Sequence, residues 1–333
     1  MKTAKLPETE IHSLLPVSII ILNYNGKKHL ETCLDSVFKS SYSNFEVILV
    51  DNCSNDDSVD FIKEKYGDKF NLKIVVNSEN LGFAEGNNVG AKHAKNDLLV
   101  FLNNDTEVHP DWLKELVKTA VSNPSLGICL CRVVTEGLRQ DLIGNVDRYG
   151  RAVLMRQENF KMNGGEVIAS GPVFLIRRDT FNRIDGFDSR YFIYFEDIDL
   201  AWRAKLLGYK ILLQQNSIVF HKVAGTTKRY GLSRRRYFLY RNTLRTLIKN
   251  YSFSTFWRLF PISLMLIIIE SVAILLTVRD PYLPMAVIRA ILWNITNLND
   301  TLILRKQIQN TRVIDDKEIL RIMAPFNFLH RIV

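Results

Sequence analysis

Six side chains in three separate stretches of the sequence are of the types that metal-assisted or acid–base chemistry uses: Asp105, Glu196, Asp197, Asp199, Arg203 and His221. Asp105 follows Asn103 and Asn104 at the end of an apolar run, Leu98 to Leu102. A carboxylate so placed can hold a divalent cation through oxygen. Such an ion can bridge a diphosphate and neutralise charge on a leaving group. Asn-Asn-Asp alone is also the composition of an ordinary turn. The segment Phe195 to Arg203 says more. Glu196, Asp197 and Asp199 crowd four positions behind the aromatic stretch Tyr191-Phe192-Ile193-Tyr194-Phe195. At a helix start, acids favour the positive end of the dipole. Asp199 and Arg203 are spaced to pair on one face, with Glu196 on the same side. Asp197 is turned from Glu196 by roughly 100° and can point elsewhere. Capping plus an ion pair accounts for Asp199 and Arg203. It does not account for Asp197, whose aromatic neighbours suit sugar stacking and a partly desolvated base. His221 ends a short apolar segment, and a lone histidine is usually structural. It becomes a metal ligand only if it reaches Asp105. One carboxylate, one imidazole and diphosphate oxygens then suit Mn²⁺ or Mg²⁺, the nitrogen leaning towards Mn²⁺.

These residues need elements to position them. Val17 to Leu22, Val47 to Val50 and Leu98 to Leu102 are continuous apolar runs, ending in Asn23, Asp51 and Asn103-Asn104-Asp105. Such runs are strands buried on both faces of a parallel sheet. Helix candidates lie between them, at Lys28 to Ser40, Ser58 to Tyr66 and Ala84 to Ala94. The alternation predicts an α/β, doubly wound, mainly parallel sheet. In such sheets ligands bind beyond the carboxyl ends of the strands. Asn23, Asp51 and Asp105 are therefore expected to converge on one crevice. Asn80 to Asn88, with Gly82 and Asn87, is a glycine-bearing turn opening a helix, whose free N–H groups could face phosphate. Further on, the pattern predicts a helix over Asp111 to Ser122 and a strand over Gly127 to Val134. Loops or a hairpin follow over 135–168, then a strand over Ala169 to Ile176. Glu196 to Leu207 reads as a helix closed by Gly208. Lys210 to Leu213 and Ser217 to His221 read as short strands.

The chain has 333 residues, 47% hydrophobic and 24% charged, which suits a globular enzyme with a sizeable core. A net charge of +9 favours an anionic partner: nucleic acid, nucleotide phosphates or an acidic lipid surface. The four cysteines make no CxxC pair and read as buried free thiols of a reducing compartment. The N-terminal stretch, Met1 to Pro16, has no apolar core of a secretory signal.

Taken together, these segments resemble the inverting GT-A glycosyltransferases of the large second sequence family, and within them the rhamnosyltransferase-type enzymes of cell-surface polysaccharide assembly. The matching segments are Val17 to Gly26, Val50 to Asp56, Asn80 to Asn87, Leu102 to Thr106, Ser170-Gly171 and Phe195 to Arg203. The resemblance covers about two-thirds of the chain. It implies a nucleotide-sugar donor, with dTDP-rhamnose first and UDP-sugars next, and a lipid-linked or glycan acceptor. It implies a base contact for Asp51 and a turn at Asn23 to Gly26, including Asn25, that approaches the nucleotide. Asn80, Gly82, Asn87, Asn103 and Asn104 fall on the donor side. Asp105 matches the last acid of the family's DxD metal motif, Asn103 standing where many members carry Asp, and His221 matches a histidine that completes the metal site in some relatives. Asp197 matches the catalytic base, with Glu196, Asp199, Trp202 and Arg203 around it. Asp105, Asp197 and His221 are expected to meet at one sugar-diphosphate pocket.

From about residue 222 the character changes. No acidic residue falls between Asp199 and Glu270, while thirteen Lys and Arg do, among them Arg234-Arg235-Arg236. Leu259 to Val278 follows, apolar and about long enough to cross a bilayer. A lipid-facing Glu270 would cost roughly 2–3 kcal/mol there. Spanning, surface-lying and domain-packed helices, the last as a hairpin with Leu283 to Leu298, all remain open; the cationic stretch favours a membrane surface. The expected organisation is a tail over 1–16, a catalytic domain over 17–225 and a basic, apolar, helical membrane-associating region over 226–333. The expected place is the cytoplasmic face of the plasma membrane, with a homo-oligomer possible. Two other functions compete. A nucleotidyltransferase would release pyrophosphate, but the turn after the first strand lacks a basic, glycine-rich phosphate loop. A non-catalytic basic module would bind nucleic acid or membrane through the Arg234 to Arg236 cluster; the adjacent apolar run favours lipid, so no nucleic-acid partner is expected.

Overall fold

The computed structural model describes residues 15–135, 142–156, 168–221, 231–278, 280 and 282–326. In chain order the elements are β1 (Val17–Asn23), α1 (Lys27–Phe38), β2 (Phe45–Asp51), α2 (Ser58–Tyr66), β3 (Leu72–Val76), α3 (Gly82–His93), β4 (Leu98–Asn103), β5 (Thr106–Val108), α4 (Trp112–Ser122) and β6 (Leu126–Thr135). There follow β7 (Leu142–Val146), β8 (Ala152–Arg156), β9 (Ala169–Ser170), β10 (Val173–Arg177), α5 (Arg178–Arg183), α6 (Glu196–Leu206) and β11 (Lys210–His221). The chain ends in α7 (Leu232–Asn250), α8 (Phe253–Val278), α9 (Leu283–Thr296), α10 (Leu298–Thr311) and α11 (Asp316–Ile322). These form two compact units interleaved in sequence: Met1–Leu142, Gly171–Ser189 and Lys210–Val223 in the first, and Ile143–Ser170, Arg190–Tyr209 and Ala224–Val333 in the second. Residues 143–170 and 190–209, which the sequence reading placed in a continuous 17–225 domain, thus group with the C-terminal helices. Residues 1–14 of the expected tail, and Lys222, Lys228 and Arg229 of the basic stretch, lie outside the described residues.

The first unit is built on an eight-stranded sheet ordered β3-β2-β1-β4-β10-β6-β11-β5. Strands β3, β2, β1 and β4 run parallel. β10 is antiparallel to both β4 and β6, β11 returns parallel to β6, and β5 closes the edge antiparallel to β11. The continuous apolar runs are buried on both faces, with Ile19, Ile20 and Ile21 fully so. Ile19 and Ile21 pack with Leu30, Leu34 and Val37 of α1. The other face of β1 lies under α3 at very close range. A Cβ on Gly90 would stand 2.4 Å from Ile20 Cγ2, and one on Gly86 2.6 Å from Leu22 Cδ1. Only glycine permits that approach, and it brings the start of α3 to the carboxyl end of β1.

The second unit holds a small sheet, β8-β7-β9, and the helices α6 to α11. Its centre is α7, with Tyr240 and Leu244 packed against Ile267 of α8 and Val287 and Ala290 of α9. α7 also buries Arg236, Arg241, Asn242, Arg245 and Lys249. Arg245 is fully buried, its guanidinium donating to Thr301 Oγ1 at 2.6 Å and pairing with Asp300 Oδ2 at 2.7 Å. The cationic stretch of the sequence is therefore in large part an internal polar network.

The helices expected up to residue 208 are present to within two residues, whereas the apolar helix expected over Leu259 to Val278 begins earlier, at Phe253. The expected strand over Ala169 to Ile176 is instead two strands in different sheets, broken at Gly171-Pro172. Proline has no N–H for a ladder, and the Pro172 carbonyl accepts from Asn103 N at 2.9 Å. The two short strands expected over 210–221 are one strand, with a register shift between Gln214 and Ile218. β7 and β8 pair as the hairpin foreseen within 135–168, of which 136–141 and 157–167 lie outside the described residues. Three cysteines are buried, and burial pushes the Cys33 and Cys131 thiols up to about 12. Cys53 departs from the expectation: it is exposed, because it stands in the turn beyond β2.

Candidate active site

In the first unit the ends of β1, β2 and β4 are tied to one another by side chains. Asn23, fully buried, donates from Nδ2 to Asp51 Oδ1 at 2.9 Å and to Ser54 Oγ at 3.2 Å. Its Oδ1 accepts from Asn104 Nδ2 at 2.8 Å. Asp51 Oδ2 accepts from Ser54 N at 2.8 Å, so both oxygens of this buried carboxylate are engaged within the protein. Asn25, at a φ of 50°, donates from its N–H to Ser54 Oγ and accepts from Asn55 N. A Cβ on Gly26 would stand 2.2 Å from Asn104 Nδ2 and 2.6 Å from Asn23 Oδ1, so a larger residue there would have to displace the amides that join the strand ends. The expected convergence of Asn23, Asp51 and the Asn103-Asn104-Asp105 segment is present.

The turn before α3 hangs on Asn52, which the sequence reading did not single out. Asn52 Nδ2 donates to Asn80 Oδ1 and to the Gly82 carbonyl, and its Oδ1 accepts from Asn77 Nδ2 and from Leu81 N. Gly82 N donates to Asn80 Oδ1 at 2.9 Å. The Leu81 and Gly82 N–H groups, expected to be open to phosphate, are thus satisfied by asparagine side chains. Gly82 itself sits at a φ of 79°, the left-handed region where glycine carries no penalty. Asn87 is buried and donates back to the Phe83 carbonyl at 2.9 Å.

β4 stops at Asn103, and Asp105 occupies the turn into β5. β5 pairs with the end of β11 so that His221 stands opposite Thr106. That register sets His221 Nε2 3.3 Å from Asp105 Oδ1, with the two side chains 20% and 11% exposed. The Asn103 carbonyl accepts from Thr106 Oγ1 at 2.6 Å. Among the described residues no group of three or more His, Cys, Asp and Glu side chains gathers to hold a metal. A cation at Asp105 and His221 would thus draw its remaining ligands from elsewhere. The spacing fits: adjacent corners of an octahedron lie about 3.0 Å apart for bonds near 2.1 Å.

In the second unit, α6 begins immediately after Phe192, Tyr194 and Phe195, whose φ angles are 56°, 68° and 73°. Non-glycine residues in that region cost about 1–3 kcal/mol each and persist only where surroundings hold them. Of the three acids that follow, two are inside. Asp199 is fully buried and receives Arg203 Nε at 2.8 Å, Lys249 Nζ at 3.0 Å, Asn250 Nδ2 at 3.1 Å and the Tyr191 hydroxyl at 3.2 Å. Breaking such a buried pair typically costs about 3–5 kcal/mol, so Asp199 anchors α6 to α7. Glu196 is 6% exposed, and burial, with the neighbouring Asp197 charge adding to it, holds its carboxyl well above the ordinary glutamate range. Asp197 is the partly exposed member, its Oδ1 accepting from Ile198 N at 2.8 Å. Trp202 is fully buried, edge-on to Tyr251 at 4.9 Å between centroids. Of the expected site residues, Asp105 and His221 meet within the first unit, whereas Glu196, Asp197, Asp199, Trp202 and Arg203 belong to the second.

The sequence profile described as glycosyl transferase family 2 matches residues 18–185, about half of the chain. The chain belongs to glycosyl transferase family 2. The matched span of this family 2 chain contains Asn23, Asp51 and Asp105 and ends before Asp197 and His221. An uncharacterized glycosyltransferase of Haemophilus influenzae is 34% identical over 125 residues, 36% of this chain and 41% of that protein. The family 2 chain thus spans less than half the length of that relative. Among solved structures, the fold is similar to Staphylococcus aureus TarS 1–349 in complex with UDP-GlcNAc (TM-score 0.55, 19% identity, 74% of this chain and 70% of that one). It is also similar to the mannosyltransferase PcManGT from Pyrobaculum calidifontis in complex with GDP-Man and Mn²⁺ (TM-score 0.55, 17% identity, 90% and 86%). The architecture is the GT-A fold: a mixed parallel and antiparallel sheet with helices, extended by a helical C-terminal region.

Proposed function

We propose that this family 2 chain transfers a sugar from a nucleotide-diphosphate donor to a hydroxyl of a lipid-linked or polysaccharide acceptor, with inversion at the anomeric carbon and with Mn²⁺ or Mg²⁺. The observation that carries the reading is the Asp105–His221 pair, a carboxylate and an imidazole 3.3 Å apart at neighbouring strand ends of a GT-A sheet. A divalent ion held by that pair would neutralise charge on the departing nucleoside diphosphate. Asn103, in place of a second carboxylate, makes donor oxygens the natural source of further ligands. Asn23, Asn25 and Asp51 shape the turn that receives the nucleotide, with Asn52 and Asn80 fixing the neighbouring one.

Asp197 is the base in this scheme, because it alone of the three acids on α6 reaches solvent. It takes the proton from the acceptor hydroxyl as that oxygen bonds to the anomeric carbon and the bond to the diphosphate oxygen breaks. Burial disfavours the charged form of Glu196 beside it. The donors named for TarS and PcManGT, UDP-GlcNAc and GDP-Man, support a nucleotide sugar in general; dTDP-rhamnose remains the first candidate and UDP-sugars the next. The test is a panel of dTDP-, UDP- and GDP-sugars incubated with the protein and Mn²⁺. One donor is expected to release its nucleoside diphosphate. Pyrophosphate release instead would support a nucleotidyltransferase, and no turnover with salt-sensitive nucleic-acid binding would support a basic module.

The same reading seats the C-terminal region on the cytoplasmic face of the plasma membrane. Among the described residues α8 is the one helix long and apolar enough to cross a membrane, with mean hydropathy 2.5 over an 18-residue stretch within Phe253–Thr277. Two features favour a surface seat over a span. Ser263, Ile267 and Ser271 are buried inward, and Glu270 pairs with Arg236 of α7, so the single acid of the helix is not offered to lipid. The outward side carries Trp257, Met265, Ile268, Val272 and Leu276, all exposed. A one-sided apolar stripe suits burial at the headgroup boundary. Flotation with vesicles rich in phosphatidylglycerol is expected to recover the protein, and Ile268→Glu with Val272→Glu to lower recovery more than tenfold. Retention of the wild type after carbonate extraction would favour a span instead.

A further inference from the structure

The backbone that leads into Asp197 is held by two residues that lie 44 and 45 positions further along the chain, on α7. Asn242 is fully buried, and its Nδ2 donates towards three carbonyls: Tyr191 at 3.1 Å, Ile193 at 2.9 Å and Tyr194 at 2.6 Å. Arg241 adds Nη2 contacts to the Arg190 and Tyr191 carbonyls, both at 2.8 Å. Arg241 Nε also donates to Asn242 Oδ1 at 2.8 Å. An asparagine amide can be placed either way round; that last bond fixes it with the NH₂ towards the carbonyls. Arg241 is in turn held over the rings of Trp293, at 4.5 Å, and Phe238, at 4.8 Å. Asn294 Nδ2 donates to the Arg241 carbonyl at 3.0 Å.

The five contacts fall on four carbonyls, those of Arg190, Tyr191, Ile193 and Tyr194. They fall on the segment whose Phe192, Tyr194 and Phe195 take left-handed φ angles. Carbonyls turned to one side by such angles need donors there, since buried C=O groups left unpaired are costly. Asn242 and Arg241 supply them. Phe195, the last of the three, is the residue from which α6 starts, and its carbonyl accepts from Asp199 N at 2.9 Å. The direction in which Asp197 leaves the helix start is set by that backbone.

We infer that Asn242, oriented by Arg241, is a positioning residue for Asp197: it holds the 190–195 backbone in the form that presents this carboxylate. The inference rests on the reading of Asp197 as the base. Neither residue touches the reacting atoms, and their effect runs through the main chain. Losing the clamp lets the segment relax from its left-handed angles, and a small displacement of a base lowers turnover steeply without weakening donor binding.

The test compares Asn242→Leu, Arg241→Lys and Asp197→Asn, measuring hydrolysis of the fastest donor in the panel with Mn²⁺, per folded molecule as counted by circular dichroism. Asn242→Leu keeps the branched shape and removes the donors; Arg241→Lys keeps the charge and loses the bond that orients the amide. Each is expected to lower kcat at least tenfold, to leave donor KM within twofold, and to move the acid limb of the kcat–pH profile. Should Asn242→Leu fail to fold, Arg241→Lys decides by the same three readouts. A lower Tm with wild-type kcat and pH profile, or a raised KM alone, would overturn the inference while Asp197→Asn remained inactive. Wild-type turnover in Asp197→Asn would instead remove the base assignment itself, and the positioning role with it.

Discussion

Asp197→Asn is expected to lower sugar transfer by about 10²–10⁴-fold, the usual contribution of a positioned base. The substitution is nearly isosteric and the side chain is partly exposed, so folding should be little changed. The Asn23 to Gly26 turn, the Asn23–Asp51–Asn104 network and the Asp105–His221 pair all belong to the other compact unit. Binding of nucleoside diphosphate, measured by calorimetry in the presence of Mn²⁺, should therefore stay within about twofold. The pairing of those two results carries the meaning: a dead enzyme that still binds its nucleotide has lost chemistry and not structure. Wild-type turnover in this variant would falsify the assignment. The parallel substitution Asp199→Asn is a poor substitute for the experiment, because Asp199 meets Arg203, Lys249, Asn250 and Tyr191 and its loss would first destabilise α6.

Removing the divalent ion is expected to be as severe. Charge stabilisation on a leaving diphosphate is worth several kcal/mol, and each 1.36 kcal/mol is tenfold in rate. Chelation should thus reduce turnover by about 10³-fold or more, with recovery on adding Mn²⁺ or Mg²⁺. Asp105→Ala should reproduce the chelated rate and resist rescue by added metal. His221→Ala should keep the carboxylate and respond to metal, but only at a higher concentration for half-maximal activity. A His221→Ala enzyme with unchanged metal dependence would remove the histidine from the site and leave Asp105 as the remaining protein ligand of the pair. Titrating activity against Mn²⁺ for the three proteins separates these outcomes.

Much of the first unit was legible because its chemistry sits at ends of uninterrupted apolar runs. Ile19 to Ile21 and Leu98 to Leu102 could be read as strands buried on both faces, and the polar residue ending each run then had to lie on one edge of the sheet. His221 was legible only as a condition. Its partner strand, β5, is three residues long, too short to announce itself by pattern, yet its register is what brings the imidazole to Asp105. Asn52 escaped notice because an asparagine in a polar turn reads the same whether its amide is free or bridges two turns. α7 was misread in character for a related reason. Arg241, Arg245 and Lys249 count as surface charge in a composition, and only packing shows that they are buried among carbonyls, aromatic rings and carboxylates. The interruption of the strand at Gly171-Pro172 was hidden by apolar residues on both sides. The three left-handed aromatic residues could not be foreseen at all, since nothing in Tyr191 to Phe195 favours such angles over an ordinary strand.

Those residues have one further consequence. A loop that needs positive φ is usually built with glycine, which relieves the backbone but leaves many conformations to be frozen when a ligand arrives. Here Phe192, Tyr194 and Phe195 occupy the positions instead, with Phe192 stacked on Phe238 at 5.6 Å between centroids. Ordering entropy is thus spent during folding, before any acceptor is met. The entrance to α6 is accordingly preorganised, and its selectivity should derive from a fixed shape to which the acceptor conforms, with little of the adaptation that a mobile glycine lid would provide.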